Sequence, residues 1–238
     1  MDIQLFIPCY IDQLYPQTAF NTLKILEKAG CKVHYNPRQT CCGQPAFNSG
    51  YRKAAFSMAK KFLADFKADM PVVSPSGSCT GYIIRHYFQL LNDKPALQRQ
   101  FEQMKESIYE LSDFLVNILH VEDLGATFPH QVTFHDSCAA LREYGVKDEP
   151  RRLLSHVKGL QLIEMPESET CCGFGGTFAV KNNAISTAMV EKKVLNALAT
   201  GVEFIVSTEA SCLMNINAFC HKQQIPLKGV HLSDILAS

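Results

Sequence analysis

Apolar positions along the chain fall into two kinds of run. Short stretches at 3–8, 31–35, 71–74, 132–135, 160–165 and 204–207 read as strands buried in a sheet. Between them, apolar residues recur every three or four positions, the spacing of one helix face. A helix is predicted over 14–29, with Pro16 near its start, Ala19, Leu23 and Leu26 on one face, and Gly30 at its end. Asn48 or Ser49 can cap a second helix whose stripe is Tyr51, Ala55, Met58, Phe62 and Phe66. Phe101, Met104, Ile108, Leu111, Leu115 and Ile118 form the most regular amphipathic pattern and predict one connecting helix within 96–130. Ile185, Ala188, Leu195 and Ala199 share a face of a later helix, and the tail 230–238 returns to the sheet and ends in a short helix. Strands alternating with helices, without hairpin signals, predict an α/β fold with parallel sheets.

The cysteines divide this pattern in two. Thr40-Cys41-Cys42-Gly43 returns as Thr170-Cys171-Cys172-Gly173. Each pair is preceded by an apolar stretch leading to a cysteine, Cys9 or Cys138, and followed by a serine–cysteine step, Ser78-Cys79 or Ser211-Cys212. The offsets between the copies are 129, 130, 130 and 133 residues, which marks a duplication with small insertions. The prediction is therefore two pseudo-symmetric lobes, 1–95 and 131–238, each a small parallel sheet flanked by helices. The 101–118 helix has no counterpart in this scheme and serves as the connector.

Composition narrows the function. With 238 residues, 47% hydrophobic, and a formal net charge of zero, the chain has material for two small cores and no electrostatic footprint for nucleic acid. No apolar stretch is long enough to span a bilayer, and Met1-Asp2-Ile3-Gln4 lacks the basic start of a signal peptide. A cytoplasmic location is expected. There, ten cysteines point to metal binding or redox work rather than to a disulfide scaffold.

The cysteines fall where strands end and helices begin, the place where α/β sites gather. Ser78, Ser137 and Ser211 are candidate N-caps that put Cys79, Cys138 and Cys212 into first helical turns. There the helix dipole favours thiolate, the form that ligates metal. Adjacent cysteines cannot readily bridge, since neighbouring Cα atoms sit about 3.8 Å apart and a disulfide spans about 4.4–6.8 Å. Each lobe thus offers four thiolates: Cys9, Cys41, Cys42 and Cys79 in one, and Cys138, Cys171, Cys172 and Cys212 in the other. Four thiolates suit a [4Fe–4S] cluster, one per lobe and up to two in all, or a structural zinc. The Cys-x-x-Cys knuckles usual for zinc are absent. Uncoordinated redox thiols are the remaining reading. Cys31 and Cys220 have no repeat partner and are assigned as buried apolar filler.

Cys41-Cys42-Gly43-Gln44-Pro45-Ala46-Phe47-Asn48-Ser49-Gly50, Ser74-Pro75-Ser76-Gly77-Ser78-Cys79, Cys171-Cys172-Gly173-Phe174-Gly175-Gly176-Thr177-Phe178 and Cys212-Leu213-Met214-Asn215-Ile216 carry a resemblance over nearly the whole chain. They resemble the cysteine-rich Cys-Cys-Gly domain of heterodisulfide reductase and of the glycolate oxidase iron–sulfur subunit, and more closely the lactate utilization protein A family. The resemblance implies an iron–sulfur subunit of a cytoplasmic complex that oxidises L-lactate to pyruvate, with two further proteins, one of them ferredoxin-like. One departure matters. Heterodisulfide reductase ends each motif with Cys-x-x-Cys, whereas Tyr82 and Asn215 hold the last position here. One thiolate per lobe is missing, which favours plain electron transfer over disulfide cleavage.

Three further residues carry candidate chemistry. His135 precedes Cys138 and is a candidate neighbour of a cluster or proton carrier, against the plainer reading of a strand-end histidine bonded to backbone. Arg85 and Arg142 follow ligand cysteines and are candidates for binding a carboxylate such as lactate, against a solvated helix face. Gly173-Phe174-Gly175-Gly176 lacks the third glycine of a dinucleotide fingerprint, so any oxidation of lactate needs a hydride or electron acceptor on a partner. An electron-carrying subunit, a thiol or disulfide reductase, and a zinc-stabilised interaction module are the three functions the residues allow.

Overall fold

The computed structural model describes all 238 residues. In the first lobe, β1 (Asp2–Leu5) pairs in parallel with β2 (Lys32–Tyr35) and β3 (Val72–Ser74), and β4 (Ile108–Glu110) adds in parallel beyond β3. Helices α1 (Cys9–Leu14) and α2 (Pro16–Lys28) connect β1 to β2. Helices α3 (Gln44–Asn48) and α4 (Arg52–Asp65) lead to β3, and α5 (Gly77–Leu90) and α6 (Pro95–Lys105) lead to β4. The lobe ends with α7 (Leu111–Asp113), which runs into a π-helical turn at Phe114–Ile118.

The second lobe repeats the plan with β5 (Gln131–Phe134), β6 (Gln161–Leu162), β7 (Phe204–Ser207) and β8 (Lys228–His231), again all parallel. A π-helical turn at Ala140–Tyr144 and α8 (Glu149–Ser155) join β5 to β6. Helices α9 (Thr177–Lys181) and α10 (Asn183–Leu198) lead to β7, α11 (Ala210–Lys222) leads to β8, and α12 (Leu232–Leu236) closes the chain. The strand orders, β2-β1-β3-β4 and β6-β5-β7-β8, are the same. In each sheet the order reverses between the first and third strands, which opens a crevice at their carboxyl ends.

The lobes share a core. One cluster of buried side chains joins Ile3, Leu5 and Val73 of the first sheet to Val132, Phe134 and Val206 of the second. The helices after the last strands make reciprocal contacts. On α12, Asp234 accepts from Thr18 Oγ1 and Asn21 Nδ2 of α2, both at 2.9 Å. On the other side, Asp113 of α7 accepts from the Tyr144 hydroxyl, and Asn117 donates to Glu149 of α8 at 3.0 Å.

Three sequence expectations are corrected here. The uninterrupted helix over 101–118 is in pieces, because Ile108–Glu110 pairs with β3 and Glu110 ends the strand by capping α7. Its carboxylate accepts from the Ser112 amide at 2.8 Å and from the Asp113 amide. This segment also has a counterpart: Leu111-Ser112-Asp113-Phe114-Leu115 returns as Leu232-Ser233-Asp234-Ile235-Leu236, where the His231 ring takes the Ser233 amide at 3.1 Å. Second, the face Ile185, Ala188, Leu195 and Ala199 of α10 points to solvent, and Ser186, Val190, Lys193, Val194 and Ala197 are buried instead. Third, the caps of the cysteine-bearing helices are Ser76 and Glu209, two residues before the serines expected.

Candidate functional site

The eight repeated cysteines end up at the carboxyl edges of the two sheets. Cys9 opens α1 after β1, and Cys79 lies in the first turn of α5 after β3. These are the two strands that flank the reversal. Cys41 and Cys42 arrive from the loop after β2, and Gly43 turns the chain away with φ of +96°. The second lobe places Cys138, Cys171, Cys172 and Cys212 in the same way, with Gly173 at φ +83°. A side chain at Gly173 would start 2.5 Å from the Ser186 carbonyl oxygen, so the turn admits only glycine.

Within the first quartet the Cys9 and Cys41 sulfurs are 3.6 Å apart and those of Cys42 and Cys79 are 3.3 Å apart. In the second, Cys138 lies beside Cys171, and the sulfurs of Cys172 and Cys212 and a ring nitrogen of His135 all lie within 4.8 Å of one another. Backbone amides aim at sulfur: Gly43 N–H at Cys41 (3.4 Å) and Gly173 N–H at Cys171 (3.3 Å). Each quartet has two half-buried members and two buried ones. The quartets, expected as separate pockets, open on one cavity of about 210 Å³ between the lobes. That is several times the roughly 30 Å³ share of one water molecule. Tyr10 and Phe174 meet edge to face across the lobes at 5.6 Å.

The thiols share their protons unequally. Hydrogen bonds from Cys42 and Cys9 pull Cys41 down to about 3, and those from Cys138 and Cys172 pull Cys171 down to about 2. The donors shift the opposite way: Cys9, Cys42, Cys138 and Cys172 all rise, through their bonds to these neighbours and through burial. In the second quartet Cys212 is also pulled down, to about 6, by its hydrogen bond with Cys172, so a first proton leaves each quartet readily while the raised thiols keep theirs. A positive centre must replace those protons before all four sulfurs can be thiolates together.

A family profile described as "Cysteine-rich domain" (CCG) matches residues 3–84 and 132–217, one match per lobe. Lactate utilization protein A of Bacillus subtilis is 42% identical over 238 residues, the whole of both chains. The chain belongs to the lactate utilization protein A family. Lactate utilization protein A of Halalkalibacterium halodurans is likewise 42% identical, over 99% of this chain and 96% of its own. A crystal structure of a hypothetical protein from Helicobacter pylori shares the fold with a TM-score of 0.67 at 16% identity, covering 99% of this chain and 48% of that one.

In this member of the lactate utilization protein A family, several side chains that hold the cysteines escaped the motif reading. Glu209 ties the lobes together. One carboxylate oxygen accepts from Ser76 Oγ and the Ser78 amide of α5, both at 3.0 Å, and the other accepts from Ser211 Oγ of α11 at 2.9 Å. It thereby anchors the first turns that carry Cys79 and Cys212. The Tyr87 hydroxyl donates to the Cys42 carbonyl (2.6 Å), and Asn215 donates to the Cys172 carbonyl (2.9 Å), so Asn215 is a peg for the second Cys-Cys turn. Arg151 grips Asp136, two residues before Cys138, through two bonds of 2.8 Å. Burial pushes the Asp136 carboxyl up, but this pair more than offsets it. Arg85 donates to the Glu143 carbonyl and Arg142 to the Glu169 carbonyl, and neither lines the cavity. Cys31 and Cys220 lie in apolar cores away from it. No helix is long and apolar enough to cross a membrane.

Proposed function

We propose that the chain is a cytoplasmic iron–sulfur subunit of a complex that oxidises L-lactate, working beside other lactate utilization subunits that include a ferredoxin-like iron–sulfur protein. The observation that carries this reading is the convergence of eight thiols, four from each Cys-Cys-Gly repeat, on one cavity between the lobes. The name borne by relatives at 42% identity supplies the link to lactate.

The donor set fits a sulfur-bound centre. Cys9, Cys41, Cys42 and Cys79 would hold one [4Fe–4S] cluster, and Cys138, Cys171, Cys172 and Cys212 a second. When bound, such clusters accept and release single electrons. The chain's own groups prepare the place. Cys79 and Cys212 lie in first helical turns capped by Ser76 and Glu209, and the Gly43 and Gly173 amides donate toward sulfur. Buried Tyr87 and half-buried Asn215 fix the backbone of the two Cys-Cys turns.

The cavity lining contains no lysine or arginine and includes Glu143 and Glu209. A carboxylate substrate finds no counter-charge there, which favours oxidation of lactate on a partner and passage of electrons through this subunit. Anaerobic purification followed by iron and sulfide analysis and electron paramagnetic resonance tests the reading. About eight iron and eight sulfide per chain are expected for two such clusters. Colourless protein carrying stoichiometric zinc would favour the zinc-stabilised module instead.

A further inference from the structure

The two quartets are not chemically equal, and the difference is His135. Where β1 runs on through Phe6 to Cys9 three residues later, β5 runs on through His135 to Cys138 three residues later. Phe6 and His135 occupy equivalent places: the Phe6 amide donates to the Val73 carbonyl at 2.9 Å as the His135 amide does to that of Val206, and both residues are buried. The backbone of His135 is held on both sides: its amide donates to the Val206 carbonyl at 2.8 Å, and its carbonyl accepts from Ser207 Oγ at 3.0 Å. Its ring is not held. Both ring nitrogens are buried without any hydrogen-bond partner, and the residue is only 1% exposed. A buried imidazole normally finds a partner for each nitrogen. The groups next to this one are the sulfurs of Cys172 and Cys212, within 4.8 Å.

We propose that the His135 imidazole is a fifth polar donor to the second lobe's metal site, directed at the sulfur ligands, and that it sets this site at a higher reduction potential than the first lobe's, where Phe6 offers only hydrocarbon. The physical ground is that hydrogen bonds to cluster sulfurs disperse their negative charge and stabilise the reduced state. His135 acts through the ligands, so it is a positioning residue and not a catalytic one. The inference rests on the iron–sulfur reading above.

A redox titration of the anaerobic holoprotein, followed by electron paramagnetic resonance, decides it, with iron per chain measured on every sample. Wild-type protein should show two midpoints. His135→Leu should bring the upper one down toward the lower at unchanged iron content, and Phe6→His should raise the lower one. Tyr82→Phe, which removes the unpartnered buried hydroxyl of the first lobe, should leave the upper midpoint in place. A single shared midpoint in the wild type overturns the proposal without recourse to any variant, as do unmoved midpoints in His135→Leu at full iron. Iron-free wild-type protein overturns the function proposed above together with this inference, so the two failures are distinct.

Discussion

At the scale of single residues, Lys193 shows how much the Cys-Cys turn depends on groups outside the motif. It is fully buried on α10, and its Nζ donates to the Glu167 and Ser168 carbonyls at 2.7 and 3.0 Å, just before Thr170-Cys171-Cys172. Burial pushes it down to about 8, against about 10.4 for a free lysine. In that window the folded chain binds fewer protons at this site than the unfolded chain, so stability rises with pH between about 8 and 10.4. Denaturant melts at pH 7.5 and pH 10 should therefore show wild type gaining on Lys193→Met, by on the order of 1–3 kcal/mol. An equal gap at both pH values would show that the lysine is not held charged against burial. The sequence pattern could not reveal this residue. A lysine on a helix ordinarily faces solvent, and the predicted stripe of Ile185, Ala188, Leu195 and Ala199 does not include Lys193.

At the scale of elements, α5 is the clearest case of packing that fixes function. Its first residue, Gly77, approaches the other lobe so closely that an added Cβ would lie 2.3 Å from the Ala140 Cβ. Gly81, one turn on, meets the Glu143 Cβ at 2.9 Å. Glycine in a helix ordinarily costs about 1 kcal/mol against alanine, so its presence here answers to the neighbour. Gly77→Ala should destabilise the fold by about 1–3 kcal/mol, the usual cost of overpacking, and Ala140→Gly should recover part of it in the double variant, since the added Cβ would still lie 2.9 Å from the Ala140 Cα. Additive losses in that cycle would mean the two residues do not press on each other. The strands and most helices of both lobes were legible from apolar runs, because parallel strands buried on both faces read as short apolar stretches. β4 was not. Ile108, Leu111 and Leu115 keep helical spacing by coincidence, and only pairing with β3 and the Glu110 cap reveal the break.

At the scale of the molecule, duplication has produced two similar lobes whose sites face each other. The repeated Cys-Cys-Gly turns were plain in the sequence because their chemistry is local. Their meeting in one cavity was not, because it depends on contacts between lobes: the shared core, the reciprocal α12–α2 and α7–α8 contacts, and Glu209 spanning α5 and α11. Each quartet nevertheless draws its four sulfurs from its own lobe. The sites should load independently. The most direct measurement is iron and sulfide per chain in anaerobically purified Cys41→Ser and Cys171→Ser, with Cys220→Ser as the control. The two ligand variants are predicted to lose about half the metal each, and the control to keep all of it. Full iron in both ligand variants, or loss of iron from Cys220→Ser, would contradict the assignment of two four-cysteine centres.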